Sequence, residues 1–398
     1  ISVKELSRIA SAVQASTTMA IDAMFKQMKA DGVDVIGFGA GEPDFNTPDN
    51  IKAAGIAAIE QNVTRYTPAA GTVELRQAVC GRMKADYGLE YKPSQVVVSS
   101  GAKHLVYLAL RAVVNPGDEV ILPAPYWVSY IELIKMVGGV PVVVTATEAE
   151  HFKLTAEKLS AAITPRTKAI LLNNPSNPTG MMYDREELEA IAAVCTQADI
   201  YVISDEIYAC LAYDGRTFTS FASLSADAKE RTILVNGVSK AYAMTGWRIG
   251  YACANDVIAK VMANYVSHST GSPVAISQRA AAVALSGSQA EIETMRQAFE
   301  QRRNYIVERM NAIPGVSCIQ PEGAFYVMMN LEQLLGKTIH GVEITNDDVF
   351  ADAFLKYGLV AVVPGSGFGA PNFVRWSYAT SMENIKEGLD RLEKFLAE

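Results

Sequence analysis

The chain has 398 residues, of which 49% are hydrophobic and 20% are charged, and this composition is that of an ordinary globular protein rather than a disordered one. A length above the ~250–300 residues of a single core favours two domains. The formal net charge of −8 argues against nonspecific binding to nucleic acid or anionic membranes, although it leaves room for a local cationic pocket.

Strand-like and helix-like segments alternate through the middle of the chain. Several of the strand-like segments are short, continuous apolar runs, which are typical of a sheet covered on both faces. Their alternation with helices indicates an α/β fold with a mostly parallel sheet. The predicted strands are residues 95–99, 119–122, 140–144, 169–172, 201–204, 232–235 and 249–253, and the predicted helices are 102–114, 128–137, a short one ending at 159–163, and 186–196.

The two ends of the chain have a different pattern, which predicts a smaller α+β domain. We expect the helix before Gly32 to pack with this domain. The expected division is therefore a large domain over 46–290 and a small domain formed by 1–45 together with 291–398. The predicted helices of the C-terminal part are 273–285, 289–313, 347–357 and 382–396, and its predicted strands are 316–319, 325–329 and 373–377.

Three alternate glycines, Gly37, Gly39 and Gly41, follow the strand-like residues 33–38. A GxGxG run of this kind raises the possibility of a nicotinamide-dependent dehydrogenase. The chain continues as Glu-Pro-Asp-Phe-Asn-Thr-Pro, however, and this continuation cannot open a helix beneath a pyrophosphate. We therefore reject the dehydrogenase interpretation.

The segment around Lys240 is the most informative stretch for chemistry. Lys240 comes just after the strand-like residues 232–235, at the edge where open α/β sheets bind ligands. A lysine in isolation is usually a solvated surface charge, but a desolvated lysine with small neighbours can act as a Schiff-base amine. Arg248, eight residues later, could bind a phosphate through both arms of its guanidinium.

Polar residues follow three further predicted strands. Asp205 is either the cap of a helix or the carboxylate that keeps the ring nitrogen of a pyridoxal cofactor protonated. Residues 173–180 form a turn whose amides could bind a ligand. Residues 99–103 precede a helix, and the N–H groups and dipole at such a helix start suit a phosphate.

These blocks, in this order, resemble the aspartate aminotransferase family, the fold-type I pyridoxal-phosphate enzymes. The resemblance covers essentially the whole chain and includes residues 39–45, 66–71, 123–127 and 374–379. It implies a mostly parallel sheet of the seven-stranded type in the large domain and pyridoxal 5'-phosphate as cofactor. It also implies amino acids and 2-oxo acids as substrates, and a homodimer with shared active sites.

The resemblance also implies a role for individual residues. Lys240 would hold the cofactor as a Schiff base and move the proton at the substrate Cα, and Asp205 would pair with the ring nitrogen. Arg375 would bind the substrate α-carboxylate, beside the backbone of Gly41. Tyr208 and Asn177 would bind the phenolic oxygen, Trp127 would stack on the ring, and Asn177 and Trp127 would also face the substrate. The implied phosphate ligands are Ser100, Gly101, Ala102, Ser239, Arg248 and, from the neighbouring subunit, Tyr66.

Substrate specificity is the harder question. Residues 265–273 contain no arginine for a distal carboxylate, and the chain is similar to a second bacterial subgroup in which the lysine at the place of Lys103 binds that group. Surface exposure of Lys103 is the alternative, and His268 is a second candidate ligand. Gln14 stands where some members carry a basic residue for prephenate, so L-aspartate:2-oxoglutarate transfer is favoured.

Other specificities remain open at this point, namely an alanine, aromatic or prephenate aminotransferase or a C–S lyase. An effector-sensing regulator of this fold would need a DNA-binding domain and a basic patch, and neither is present in the sequence.

The cysteines and histidines predict neither disulfides nor a metal site. The five cysteines are scattered without a CxxC pair, and the four histidines lack ligand spacing, so a reduced protein without a structural metal is expected. No apolar run reaches the ~18 residues of a membrane span, and the first residues lack the apolar segment of a secretory signal. We therefore expect a cytoplasmic protein.

Overall fold

The computed structural model describes residues 4–15 and 18–397. The helices are α1 (Arg8–Ala12), α2 (Thr18–Ala30), α3 (Asp49–Glu60), α4 (Val73–Tyr87), α5 (Ala102–Val113), α6 (Ser129–Met136), α7 (Ala156–Ala162), α8 (Arg185–Ala198), α9 (Ala226–Arg231), α10 (Asp256–Ser269), α11 (Ala275–Ser286), α12 (Ala290–Ala312), α13 (Asp347–Gly358) and α14 (Met382–Ala397). The strands are β1 (Ile36–Gly37), β2 (Val96–Ser99), β3 (Glu119–Ala124), β4 (Val140–Thr145), β5 (Thr167–Asn173), β6 (Tyr201–Asp205), β7 (Thr232–Gly237), β8 (Gly250–Cys253), β9 (Tyr326–Asn330), β10 (Thr338–Ile339), β11 (Val342–Glu343), β12 (Val360–Ala361), β13 (Val363–Pro364) and β14 (Phe373–Ser377).

A seven-stranded sheet of order β2-β8-β7-β6-β5-β3-β4 forms the centre of the fold. Its strands pair in parallel except β8, which is antiparallel to both β2 and β7. Helices α5, α6 and α10 share a core with one face, and α4, α7, α8 and α11 cover the other. The predicted α/β fold with a mostly parallel, doubly covered sheet is confirmed.

The parallel register brings the carboxyl ends of β5, β6 and β7 to one edge of this sheet. Asn173 pairs with Asp205, and Asp205 pairs with Val235. The segment that carries Lys240 begins where β7 ends. Three stretches that are distant in sequence therefore present their polar residues side by side.

A three-stranded antiparallel sheet of order β13-β14-β9 lies in the C-terminal part, in a core shared with α12, α13 and α14. The expected strand at 316–319 is wrong, because that segment makes only an isolated bridge between Ser317 and Asn330. The side chain of Asn311 accepts the N–H of Cys318 at 2.8 Å and takes the place of a strand neighbour.

The N-terminal segment packs against elements of the C-terminal part of the chain. Strand β1 pairs in parallel with β12, and α2 packs through Ile21, Phe25 and Met28 on a core with Leu355 and Ala361. The expected packing of this helix with the C-terminal elements is confirmed, whereas the domain boundaries at 46 and 290 stay a prediction. None of the helices in the described part of the chain is long and apolar enough to cross a membrane.

Candidate active site

A pocket of about 660 Å³ opens at the carboxyl edge of β5–β7, where these strands meet the loop after β1 and the strand β14. It brings together most of the residues singled out in the sequence. Those that line it are Gly41, Ala102, Lys103, Trp127, Asn177, Asp205, Tyr208, Ser239, Lys240, Arg248 and Arg375.

Lys240 lies at the centre of this group, three residues beyond β7. Its ammonium donates a hydrogen bond to the carbonyl oxygen of Gly41. Burial lowers the pKa of Lys240 to about 8, and Arg248 and Arg375 act in the same direction, against Glu42 and Asp205. An amine with this pKa is uncharged in roughly a tenth of molecules at pH 7, far more than an ordinary lysine, and the uncharged form is able to attack a carbonyl carbon.

Asp205 ends β6 and is buried. The hydroxyl of Tyr130 donates to Oδ2 at 2.5 Å, and the N–H of Ile207 donates to Oδ1 at 3.2 Å. Burial raises the pKa of Asp205 to about 6, while these two hydrogen bonds lower it. No helix begins after Asp205 in this described segment, so the helix-cap interpretation is wrong and the carboxylate is available to a cationic ligand.

Tyr130 was missed by the sequence reasoning. It lies on α6, and its ring packs edge-on against that of Trp127 at a centroid distance of 5.3 Å. The available signal was its spacing of three residues from Trp127 at the start of a predicted helix, which places both rings on one side of that helix. Nothing in the local sequence ties this hydroxyl to Asp205.

One end of the pocket is suited to an anion. Helix α5 begins after Gly101, which has φ 89°, and its first N–H groups have no partners within the helix. The guanidinium of Arg248 lies beside this helix start and donates to the carbonyl oxygens of Ser100, at 3.2 Å, and Thr245, at 2.9 Å. A Cβ on Gly101 would overlap the guanidinium. The helix start and the arginine together make a phosphate-sized cationic corner.

The opposite end is formed by Arg375 on β14, which is 5% exposed. Its Nη1 donates to Asn177 Oδ1 at 2.9 Å and its Nη2 to the carbonyl oxygen of Gly39 at 3.0 Å, while its buried Nε has no partner among the described residues. The ring of Tyr326 lies 4.4 Å from the guanidinium carbon. Burial lowers the pKa of Arg375, and a buried guanidinium with an unused donor is a site for a carboxylate.

Tyr326 is a second residue that the sequence reasoning missed. Its hydroxyl lies 2.8 Å from that of Tyr208, and both tyrosines are buried. It comes from β9, in the middle of an apolar run, where an inward-facing tyrosine is indistinguishable by pattern from any core residue.

Lys103 lies on the first turn of α5, with its ammonium 4.8 Å from the centre of the Trp127 ring. Burial lowers the pKa of Lys103, and nearby Arg248 adds to this effect. Lys103 therefore faces the pocket as a partly desolvated cation.

Several predicted residues do not line this pocket. Ser100 and Gly101 are in contact with the guanidinium of Arg248 but do not line the pocket themselves. Tyr66 is fully exposed on the surface, and His268, near the end of α10, is exposed as well. Gln14 lies apart from the pocket lining, and its backbone N–H donates to Glu132 Oε2 at 3.0 Å.

The donor set fits pyridoxal phosphate. A phosphorylated pyridine aldehyde needs an uncharged amine, an anion site, a carboxylate for its ring nitrogen and a flat side chain for its ring. Lys240, the corner at Gly101 and Arg248, Asp205 and Trp127 supply these in one pocket.

Comparison with known proteins identifies the family. Residues 33–392 match the family described as aminotransferases of class I and II. The chain belongs to this family. It is a pyridoxal-phosphate-dependent aminotransferase, which excludes the dehydrogenase and leaves no ground for a non-enzymatic regulator.

Individual relatives of this aminotransferase match over nearly their full length. It is 50% identical over 381 residues to an aspartate aminotransferase of Bacillus sp. (strain YM-2), covering 96% of both chains. It is 48% identical to an aspartate/prephenate aminotransferase of Cereibacter sphaeroides, covering 97% of both. Among solved structures, the aspartate aminotransferase of Rhizobium meliloti has a TM-score of 0.96 at 42% identity, with 99% of each chain covered.

Proposed function

We propose that this aminotransferase transfers the amino group of L-aspartate to 2-oxoglutarate, giving oxaloacetate and L-glutamate in two half-reactions. The names of its relatives support aspartate as the donor, since the chains from Bacillus sp. and Rhizobium meliloti are both aspartate aminotransferases. The geometry of the pocket supports it independently, because Lys103, Arg248 and Arg375 line the same pocket as Lys240.

The residues of the pocket have distinct tasks in this proposal. When bound, pyridoxal 5'-phosphate supplies an electron sink that acidifies the Cα–H bond of the amino acid joined to it. Lys240 Nζ takes the proton from that Cα, and Asp205 holds a counter-charge for the protonated ring nitrogen. Arg375 fixes the α-carboxylate, and the Gly101–Arg248 corner fixes the phosphate. Anchoring both ends orients the reacting bond toward Lys240.

The observation that carries the choice of aspartate is the position of Lys103. Its ammonium lies over the Trp127 ring, at the mouth of the same pocket as Arg375. A dicarboxylate bound at Arg375 requires a second cation for its distal group, and Lys103 is free to supply it because Arg248 and Arg375 are taken up by phosphate and α-carboxylate in this proposal. Alanine, with no distal carboxylate, would leave Lys103 unused.

The test is the effect of Lys103→Met on two substrates. Methionine keeps an unbranched side chain and removes the charge, together with its contact with the Trp127 ring. A hydrogen bond to a charged group contributes ~1.5–3 kcal/mol, so kcat/KM for aspartate should fall roughly ten- to hundredfold or more. The half-reaction with alanine should change little. Equal losses for both amino acids would show that Lys103 supports the fold or the phosphate corner, and prephenate as an added acceptor tests the remaining alternative.

We further propose that the enzyme acts as a homodimer in the cytoplasm. Tyr66, Ile56, Ile59 and Val73 are large apolar side chains exposed on the first part of the chain, and a second subunit would cover them and receive Tyr66 at its phosphate corner. All five cysteines are free thiols, which supports a reducing compartment.

A further inference from the structure

The loop between β1 and α3, residues 39–47, touches the active site from the substrate side. The carbonyl oxygen of Gly39 accepts a hydrogen bond from Arg375 Nη2 at 3.0 Å. The carbonyl oxygen of Gly41 accepts from Lys240 Nζ. Arg375, which would bind the substrate, and Lys240, which would deprotonate it, therefore both donate hydrogen bonds to this loop.

Backbone hydrogen bonds do not fix the position of this loop. The backbone of Phe38, just before the loop, is still hydrogen-bonded: its N–H donates to the carbonyl oxygen of Ala361, and its carbonyl oxygen accepts from the N–H of Ser377. Within residues 39–47, all of which the structure describes, no backbone group bonds to another backbone group, and such bonding resumes only at Pro48, whose carbonyl oxygen accepts from the first turn of α3. Side chains must therefore set where the carbonyls of Gly39 and Gly41 lie.

An ion pair between Arg302 and Asp44 can fix the position of the loop. Arg302, on α12, donates from Nη1 to Asp44 Oδ1 at 2.7 Å and from Nη2 to Asp44 Oδ2 at 3.0 Å. Its guanidinium carbon also lies 5.2 Å from the ring centre of Phe45 and 5.3 Å from that of Phe299. The rings of Phe45 and Phe299 contact each other edge-on at 5.6 Å, and the guanidinium lies beside both. A two-pronged fork fixes direction as well as distance, so this contact ties the loop to α12.

Arg302 also reaches the strand on the other side of the substrate site. Its Nη1 donates to the carbonyl oxygen of Tyr378 at 3.4 Å, directly after the strand β14 that carries Arg375. The same guanidinium thus links the segment bearing Gly39 and the segment bearing Arg375. The side chain of Arg302 is 12% exposed and that of Asp44 is 31% exposed, so the guanidinium is largely shielded from solvent while the carboxylate is partly hydrated.

We propose that Arg302 and Asp44 are a positioning pair, which sets the loop 39–47 against Arg375 and Lys240 and thereby determines how tightly a carboxylate binds at Arg375. The proposal rests on the proposed function only in taking Arg375 as the carboxylate ligand. A misplacement of about 1 Å at an active site can cost about a hundredfold in rate, so a contact remote from the chemistry suffices for a measurable effect.

The experiment compares Arg302→Met, Asp44→Asn and the double variant as holoenzymes. Succinate, an unreactive dicarboxylate, is titrated through the absorbance of the bound cofactor, and the rate of the aspartate half-reaction is measured in parallel. Each single variant should bind succinate roughly tenfold or more weakly, and the double variant should be no worse than either single one. Cofactor affinity should stay within a factor of about two, because its phosphate is held elsewhere. Arg302→Lys, which keeps the charge without the fork, should recover only part of the loss.

Arg309→Met is the matched control, since Arg309 lies on the same helix and pairs with Asp390 at 2.8 Å and Glu393 at 3.4 Å, away from the loop. It should lose stability without losing succinate affinity. Wild-type succinate affinity in Arg302→Met and Asp44→Asn, or an equal loss in Arg309→Met, would overturn the positioning role. Propionate has a single carboxylate and needs only Arg375, so it separates the positioning role from the proposed use of aspartate. A loss of propionate affinity in the Arg302 variant supports the positioning pair, whether or not the wild-type enzyme accepts aspartate.

Discussion

Asp205 and Lys240 show how burial sets the chemistry of single side chains. Desolvation disfavours the charged form of each group, so it raises the pKa of Asp205 to about 6 and lowers that of Lys240 to about 8. Near neutral pH the carboxylate remains largely ionised while part of the amine is uncharged. This combination is what a cationic ring nitrogen and a nucleophilic amine require.

The hydrogen bond from Tyr130 keeps Asp205 in its ionised form, so Tyr130→Phe should impair turnover. Without this donor the pKa of Asp205 rises further, and less carboxylate is present at a given pH. We expect kcat to fall roughly ten- to hundredfold, from the ~1.5–3 kcal/mol of a hydrogen bond to a charged group. The acid limb of the kcat–pH profile should move to higher pH.

Tyr183→Phe serves as the control for this measurement. Tyr183 is equally buried, and its hydroxyl accepts the N–H of Leu154 at 2.8 Å outside the pocket. It should lower the free energy of unfolding without moving the profile. An unchanged profile in Tyr130→Phe would mean that this tyrosine only fills space.

At the scale of elements, the site depends on where strands end and helices begin. The start of α5 approaches Arg248 so closely that a Cβ at position 101 would push the guanidinium aside. Gly101→Ala should therefore displace the guanidinium and weaken cofactor binding roughly ten- to hundredfold, as expected for the loss of a charge-assisted bond to phosphate. Titration of the apoenzyme with pyridoxal phosphate, followed by fluorescence, measures this.

Gly117→Ala provides a close control for Gly101→Ala. Both glycines have φ 89°, but a Cβ on Gly117 would meet nothing within 4 Å. Alanine is disfavoured at a φ of 89° by ~1–3 kcal/mol, so the thermal midpoints of both variants should fall. A similar loss of cofactor affinity in both would refute the specific role of the Gly101–Arg248 contact.

The sequence predicts much of this arrangement, because the chemical residues directly follow apolar strands. Lys240, Asp205 and the turn at 173–180 were found in that way. Arg302 could not be found, since its partner Asp44 lies 258 residues earlier, and no local pattern reports such a pairing. Tyr130 and Tyr326 acquire their roles only through packing.

Helix α4 was absent from the predicted elements although its sequence carries a signal. Leu75, Val79 and Met83 are buried on one side of it at a spacing of four residues, which is a helical period. The charged residues between them weaken the pattern. This omission did not affect the prediction of the site, because α4 covers the sheet face opposite α5.

At the scale of the whole molecule, the proposed homodimer gives Tyr66 a role that its own chain does not offer. Tyr66 is fully exposed and lies outside the pocket of its own chain, so a partner subunit would bring it to the partner's phosphate corner. Mixing Lys240→Ala subunits with Tyr66→Ala subunits should create hybrids in which one site contains only wild-type groups. Random exchange should restore about a quarter of wild-type activity, since half of the dimers are hybrids with one intact site of two.

Size-exclusion chromatography with differently tagged subunits confirms that exchange has occurred. Activity in the confirmed hybrids that does not exceed the mean of the two parents would contradict the shared site. The proposed domain division at 46 and 290 is independent of this outcome.

Lys240 is expected to carry the cofactor as a Schiff base, and aspartate is expected to release the lysine from the cofactor by amino transfer. Borohydride reduction of the holoenzyme, followed by peptide mapping, should place the cofactor on Lys240. Prior incubation with excess aspartate should remove most of this label, because amino transfer releases the lysine, and subsequent 2-oxoglutarate should restore it. A label on another lysine, or a label on Lys240 that aspartate leaves unchanged, would contradict the account.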